Sequence, residues 1–141
     1  MIKNISYKDA SVRSEINNLV GHPFAFRDRI RMGGIGSPRF MIREASEGIM
    51  ALLNKDHNTN YCNIELRPGG IIVGFRSLLE TYAWIVPYSR LVIMRSQGMV
   101  SLYSGEQSMR LMSMIQSKSH GPFIRKLIRI KAEASRDLFP F

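Results

Sequence analysis

The hydrophobic residues of this chain follow a helical period near the start, a period of two through the middle, and a helical period again at the end. Val12, Ile16, Leu19 and Val20 fall on one helical face; Ser11 or Asp9 can cap that helix, and Gly21 with Pro23 ends it. Phe24, Phe26, Ile30 and Met32 then share one parity, which predicts a half-buried strand over Phe24–Met32 in spite of Asp28. Gly33, Gly34 and Gly36 break the chain. Ser37-Pro38 is a helix-start signature, and Met41, Ala45, Ile49 and Leu52 continue at helical spacing, so a second helix is expected from Pro38 to about Leu53. Gly48 costs such a helix about 1 kcal/mol relative to Ala, which leaves a bent helix or a strand over Ile49–Leu53 open. The polar residues 54–60 mark the clearest internal boundary.

Beyond that boundary the period becomes two. Cys62, Ile64 and Leu66 share a face within Tyr61–Arg67, Pro68-Gly69-Gly70 supplies a reversal, and Ile71, Val73 and Phe75 share a face within Ile71–Arg76. Thr81–Val86 alternates Tyr82, Trp84 and Val86 and stops at Pro87. Arg90–Arg95, Met99–Ser104 and Ser108–Ile115, separated by short Gly-containing turns, complete six strands. Gly121-Pro122 opens a last helix with Phe123, Ile124, Leu127, Ile128, Ala134 and Leu138 on a broad apolar stripe, and Arg125, Lys126, Arg129 and Arg136 mainly off it. The expectation is an α+β chain of one domain over residues 1–141. A mainly helical portion over 1–54 precedes, over 61–137, an antiparallel meander or barrel-like sheet of six or seven strands with a C-terminal covering helix.

Composition narrows the function classes. With 141 residues the chain fits one domain, and 45% hydrophobic against 22% charged residues excludes disorder as a whole-chain state. The single Cys62 excludes an intramolecular disulfide framework and a zinc site built on several thiolates. No apolar run approaches the roughly 18–20 residues of a membrane span, and Met1–Ser6 carries no secretory stretch, so the cytoplasm is the default expectation. The charge is distinctive: 20 Lys+Arg against 11 Asp+Glu give +9. Fourteen of the basic residues are Arg, whose planar donor fork suits phosphates and carboxylates. Such a balance predicts attraction to polyanions.

The Gly70-Ile71-Ile72-Val73 strand after a turn, the Trp84-Ile85-Val86-Pro87-Tyr88 connection and the closing helix together resemble the pleckstrin-homology-like barrels of bacteria over residues 61–137. The resemblance implies a seven-stranded superfold that binds lipids, peptides or other domains, usually without catalysis. Only six strands are legible in that region, so Phe24–Met32 or Ile49–Leu53 would have to supply the first.

Candidate chemistry is sparse. His22, His57 and His120 lie on separate loops, and His57 with Cys62 has no third partner at a metal-ligand spacing, so no metal, catalytic residue or cofactor is expected. Cys62 points inward by its strand parity. Glu44 and Glu47 read as charges one helical turn apart on a surface. The segment from Arg27 to Arg39 is the richest: Gly33, Gly34 and Gly36 expose backbone N–H groups, a helix is expected to follow, and Arg29, Arg31 and Arg39 flank it. Those are the ingredients of an anion site, although it lacks the Lys-Ser/Thr of a P-loop and a hinge accounts better for the same glycines. Arg125, Lys126 and Arg129 on the last helix are the second candidate anion-binding group. Phe75, Tyr82, Trp84 and Tyr103, beside Arg76, Arg90 and Arg95, could stack single-stranded bases, but their alternation reads as a core face. The expected function is non-enzymatic binding of a protein partner or an anionic membrane surface, with nucleic-acid binding through the Arg-rich positions as the alternative. Oligomeric state is not legible in the sequence.

Overall fold

The computed structural model describes residues 1–54, 60–112 and 120–138. The end of the strand expected over Ser108–Ile115, His57 and Lys118 lie outside the described residues, as do the side chains of Asp137 and Leu138. Eight strands form one open antiparallel sheet: β1 Ile2–Asn4, β2 Phe40–Ala45, β3 Tyr61–Arg67, β4 Gly70–Ser77, β5 Glu80–Pro87, β6 Val92–Ser96, β7 Met99–Ser104 and β8 Gln107–Met112. Their spatial order is β1-β5-β4-β3-β2-β8-β7-β6. The helices are α1 Ala10–Val20, α2 Phe26–Met32, α3 Glu47–Leu53 and α4 His120–Leu138. No helix of the described residues is long and apolar enough to cross a membrane.

The chain makes two meanders, β3-β4-β5 and β6-β7-β8, each from hairpins whose loops hold two residues. Period-two strands with such short turns fix their register locally, because a one-residue slip would turn every core side chain outward. β2 pairs with β3 on one side and β8 on the other, with a register shift between Ile42 and Glu44. It thereby makes one sheet of two. Ile64, Leu66, Val73 and Trp84 from one meander and Val100, Leu102, Met109 and Leu111 from the other share a single buried cluster. Ile49 and Leu53 of α3 and Phe123, Ile124 and Leu127 of α4 complete it.

A second, smaller cluster lies on the opposite face. Asp9 caps α1 by accepting from the Ser11 N–H at 2.9 Å, and Ile16 and Val20 pack on Ile72, Ala83 and Ile85. Under α1, β4 and β5 are therefore covered on both faces, as the apolar runs Ile71–Val73 and Ala83–Val86 require. The β3–β4 hairpin sits directly against the end of α1: Gly69 donates its N–H to the Val20 carbonyl at 2.8 Å. Arg67 is largely buried there, paired with Glu65 and donating to Asn17 Oδ1 at 3.1 Å and Gly21 O at 2.8 Å.

Four expectations are corrected. The strand over Phe24–Met32 is the helix α2, because Gly33 in the left-handed conformation (φ 73°) ends a helix there. Gly33 donates to Ile30 O and Gly34 to Arg29 O, the paired bonds of a Schellman stop. The single helix from Pro38 to Leu53 is instead β2 followed by α3. Ser37 does not cap a helix: its hydroxyl accepts the Ile64 N–H at 2.8 Å and draws the segment onto β3. The missing strand is accordingly Phe40–Ala45, neither of the two segments expected to supply it, and β1 raises the total to eight. The N-terminal 54 residues thus hold three helices and two strands of the same sheet. Lastly, Glu44 lies on β2 beside Arg110 at 3.9 Å while Glu47 opens α3, so they do not share a helix face.

Gly70 tests the close approach of β4 to both β5 and α1, since an added Cβ there would meet the Val86 carbonyl first. A Cβ there would lie 2.5 Å from Val20 Cγ1 and 2.9 Å from Pro87 Cα. Overpacking of this kind against backbone costs about 1–3 kcal/mol, so Gly70→Ala is expected to lower the stability measured in urea by that amount while Gly98→Ala, with open space around it, loses only its turn geometry.

Candidate functional site

The outer face of β3, β4 and β5 is covered at one end by α1 and open at the other, and the open part is a groove of about 850 Å³. Strand pairing builds its floor. Asn63 on β3 stands opposite Gly74 on β4, Glu65 opposite Ile72, and Arg76 opposite Thr81 on β5. Gly74 has no side chain to cover the sheet, and a Cβ at that position would meet Asn63 Oδ1 at 2.7 Å. The Asn63 amide therefore lies across the bare backbone. A glycine inside a strand often marks such a close approach.

Two cations border this floor. The Arg39 guanidinium lies over the Tyr61 ring, 5.1 Å from its centroid, in a cation–π contact worth about 0.5–1 kcal/mol at an exposed site. Arg76 projects from β4 into solvent. Among the described residues Glu65 is the one acid lining the groove, and it is already held by Arg67. Among the described residues neither Arg39 nor Arg76 has a carboxylate partner. Among the described residues the groove lining thus carries uncompensated positive charge. The buried His120 ring fixes the backbone behind it, with Nε2 2.8 Å from Arg39 O and its edge against Phe40.

The rim is strained and apolar. Leu78 and Leu79 form the two-residue loop of the β4–β5 hairpin, are 56% and 88% exposed, and Leu78 adopts φ 56°. Loops of this length favour Gly, Asn or Asp at positive φ. A leucine here gains no burial to offset its backbone strain, and strained positions cluster at binding sites.

The residues singled out by sequence are placed differently. Arg39 lines the groove. Gly33 and Gly34 spend their N–H groups on the carbonyls that end α2, and the next regular element is the strand β2, so those two amides are taken and no helix N-terminus follows them. The helix expected after the glycines, which would have aimed its N-terminus at an anion, is therefore replaced by a strand. Gly36 bridges to β3 at Glu65. Arg29 donates its Nε to Phe24 O at 3.0 Å, and Arg31 stands 3.9 Å from Asp28. The half-buried Lys126 donates to Gly34 O at 3.0 Å, which brings the two candidate groups into contact but through a carbonyl. Burial, reinforced by Arg129, holds its pKa below the usual lysine value. Arg125 and Arg129 are exposed. Phe75 and Trp84 are core residues. The described residues contain no group of three His, Cys, Asp or Glu side chains able to hold a metal ion.

Comparison with protein-family models, curated proteins and solved structures returns no match for this chain. Its site is read from its own chemistry.

Cys62 lies behind the groove but faces the core, where burial pushes its thiol up to about 12. In the unfolded chain the thiol ionises near about 8.5. The protonated folded form is therefore fully favoured below about pH 8.5, and the fold loses stability as pH rises from there towards the folded value. Thiol labelling of native protein at about pH 8 is expected to proceed only at the unfolding rate. Leu78→Gly relieves the left-handed strain and is expected to raise stability by about 1 kcal/mol in urea titration.

Proposed function

We propose that this protein is a non-enzymatic binding module that holds an acidic segment of a protein partner in the outer groove of β3–β5. The observation that carries this reading is the pair Arg39 and Arg76, both without carboxylate partners among the described residues, bordering a groove whose floor is the Asn63 amide laid across Gly74. Guanidinium groups bind carboxylates in bidentate fashion, and an open groove lined by the exposed Leu78 offers an extended peptide both charge and apolar contact. The nucleic-acid alternative is less favoured: the Arg39 guanidinium lies over one face of Tyr61, and Phe75, the other aromatic residue lining the groove among the described residues, is buried in the core.

The likeness to pleckstrin-homology-like domains belongs to the same proposal. Seven consecutive strands from β2 to β8, followed by the single closing helix α4, support it. Side chains from both meanders share one core, which supports a barrel-like reading of the sheet.

Binding of a fluorescent Glu-rich peptide, titrated at two salt concentrations, tests the groove. The double variant Arg39→Gln/Arg76→Gln is expected to weaken binding by at least about tenfold, since charge-assisted bonds contribute roughly 1.5–3 kcal/mol each. The control Arg13→Gln/Arg136→Gln removes the same charge from exposed positions elsewhere. Equal losses in the two variants would reduce the effect to net charge and overturn the groove as the site.

A further inference from the structure

Helix α2 is amphipathic in the reverse sense. At about 100° per residue Phe26 and Ile30 stand about 40° apart on one ridge, with Arg27 and Arg29 on its flanks and Asp28 and Met32 behind. Burial follows that wheel: Asp28 and Met32 are half-buried or nearly so, Met32 packs on the core, and no residue of α2 is buried. Phe26 is 77% and Ile30 66% exposed. The face turned to solvent is therefore the apolar one, bordered by guanidinium groups.

Three occupants could cover such a ridge, and charge and size separate them. A second copy would bring Arg27, Arg29 and Arg31 against the same three residues, with one Asp28 on each side to offset them. Like charges so placed oppose pairing. A protein groove would receive a convex ridge of two side chains, roughly 300 Å² at most, where a stable interface takes about 800 Å² from each partner. An anionic lipid surface needs no complementary shape. It accepts protruding apolar side chains at the headgroup boundary and gains from basic residues beside them.

We propose that α2 is an anchor for anionic membranes, with Phe26 and Ile30 entering the headgroup boundary and Arg27, Arg29 and Arg31 meeting lipid phosphates. The Arg29 Nε bond to Phe24 O leaves its two Nη groups to solvent, and the Arg31–Asp28 pair is long and exposed. The helix is already formed and closed by its Gly33–Gly34 stop, so attachment orders no new backbone. At seven residues it lies in the interface and does not span. The net charge of +9 draws the molecule to the same surface from a distance. This anchor is independent of the groove.

The test is co-sedimentation of the full chain with vesicles of phosphatidylcholine alone or with roughly 30% phosphatidylserine, at about 0.15 M salt. Wild type is expected to sediment with the anionic vesicles and to stay in solution with the neutral ones. Phe26→Ser/Ile30→Ser leaves the charge untouched and is expected to lower partitioning by about tenfold or more, with an unchanged melting curve because both side chains are already exposed. Arg27→Gln/Arg31→Gln is expected to lose more than the equally charged control Arg125→Gln/Arg129→Gln. Phe26→Trp gives a readout that does not depend on the serine variant: the emission of the introduced indole is expected to shift to the blue on adding anionic vesicles, over a constant background from the buried Trp84. Wild-type partitioning by Phe26→Ser/Ile30→Ser, equal losses from the two Arg pairs, binding to neutral vesicles alone, or an emission spectrum of Phe26→Trp that does not move would each overturn the anchor. So would a concentration-dependent dimer that disappears in the serine variant.

Discussion

The whole arrangement hangs on β2, the strand that both meanders share. Hairpins build themselves from local pairing, but β3-β4-β5 and β6-β7-β8 would remain two small sheets without it. Phe40 and Ile42 are buried between them, and the backbone of β2 pairs to Cys62 and Tyr61 on one side and to the Met109–Met112 edge on the other. Ser46 secures the exit: its Oγ donates to Gln107 Oε1 at 2.6 Å and accepts the Ser108 N–H at 3.0 Å. The same turn launches α3, which places Ile49 and Leu53 in the core. The groove inherits its position from this strand, because Arg39 stands at the start of β2 and His120 of α4 holds its carbonyl.

Elements determined by near neighbours were legible in the sequence. The six strands from β3 to β8 follow from period two with short turns, α1 from its cap and glycine stop, and α4 from its stripe. Where a distant partner decides, the pattern misled. Met41, Ala45, Ile49 and Leu52 do fall at helical spacing, yet the residues that β2 buries are Phe40 and Ile42, and the choice is made by Ser37 bonding to Ile64 and Ser46 to Ser108. In α2 the positions 26 and 30 satisfy both periods. There the local signal existed, since Gly33 and Gly34 together form a helix stop, but a hinge explains the same residues. β1 has three residues and no period to read.

The groove was legible only in fragments. Arg39 stood out as a cation but in the setting of a glycine cradle, and Arg76 as a charge on a strand. What joins them is register: Asn63 faces Gly74 only once β3 and β4 are paired. Gly74, alone between Val73 and Phe75, was the one sequence signal of bare backbone. Leu78 and Leu79 were the other sign of a site, an apolar pair where a two-residue turn ordinarily takes small polar residues.

Net charge by itself separates none of these surfaces, but the partners of each cation do. Lys3 is tied to Glu15, Arg67 to Glu65, Arg110 to Glu44 and Lys126 to the Gly34 carbonyl. Such cations are accounted for within the fold, and Arg67 in particular joins β3 to the end of α1. Arginines that have no carboxylate partner among the described residues and stand beside an exposed apolar group are different. They add self-repulsion to a chain already at +9, and their apolar neighbours forgo burial worth roughly 1.5–3 kcal/mol per large side chain. Among the described residues, Arg76 and Leu78 on the groove and Arg27 beside Phe26 on α2 are two places that combine both costs, and Arg95 beside Val92 and Met94 on β6 is another. Neither cost stabilises the folded monomer, and an anionic partner that also took up the apolar side chain would offset both at once, which is the physical ground of the two proposals.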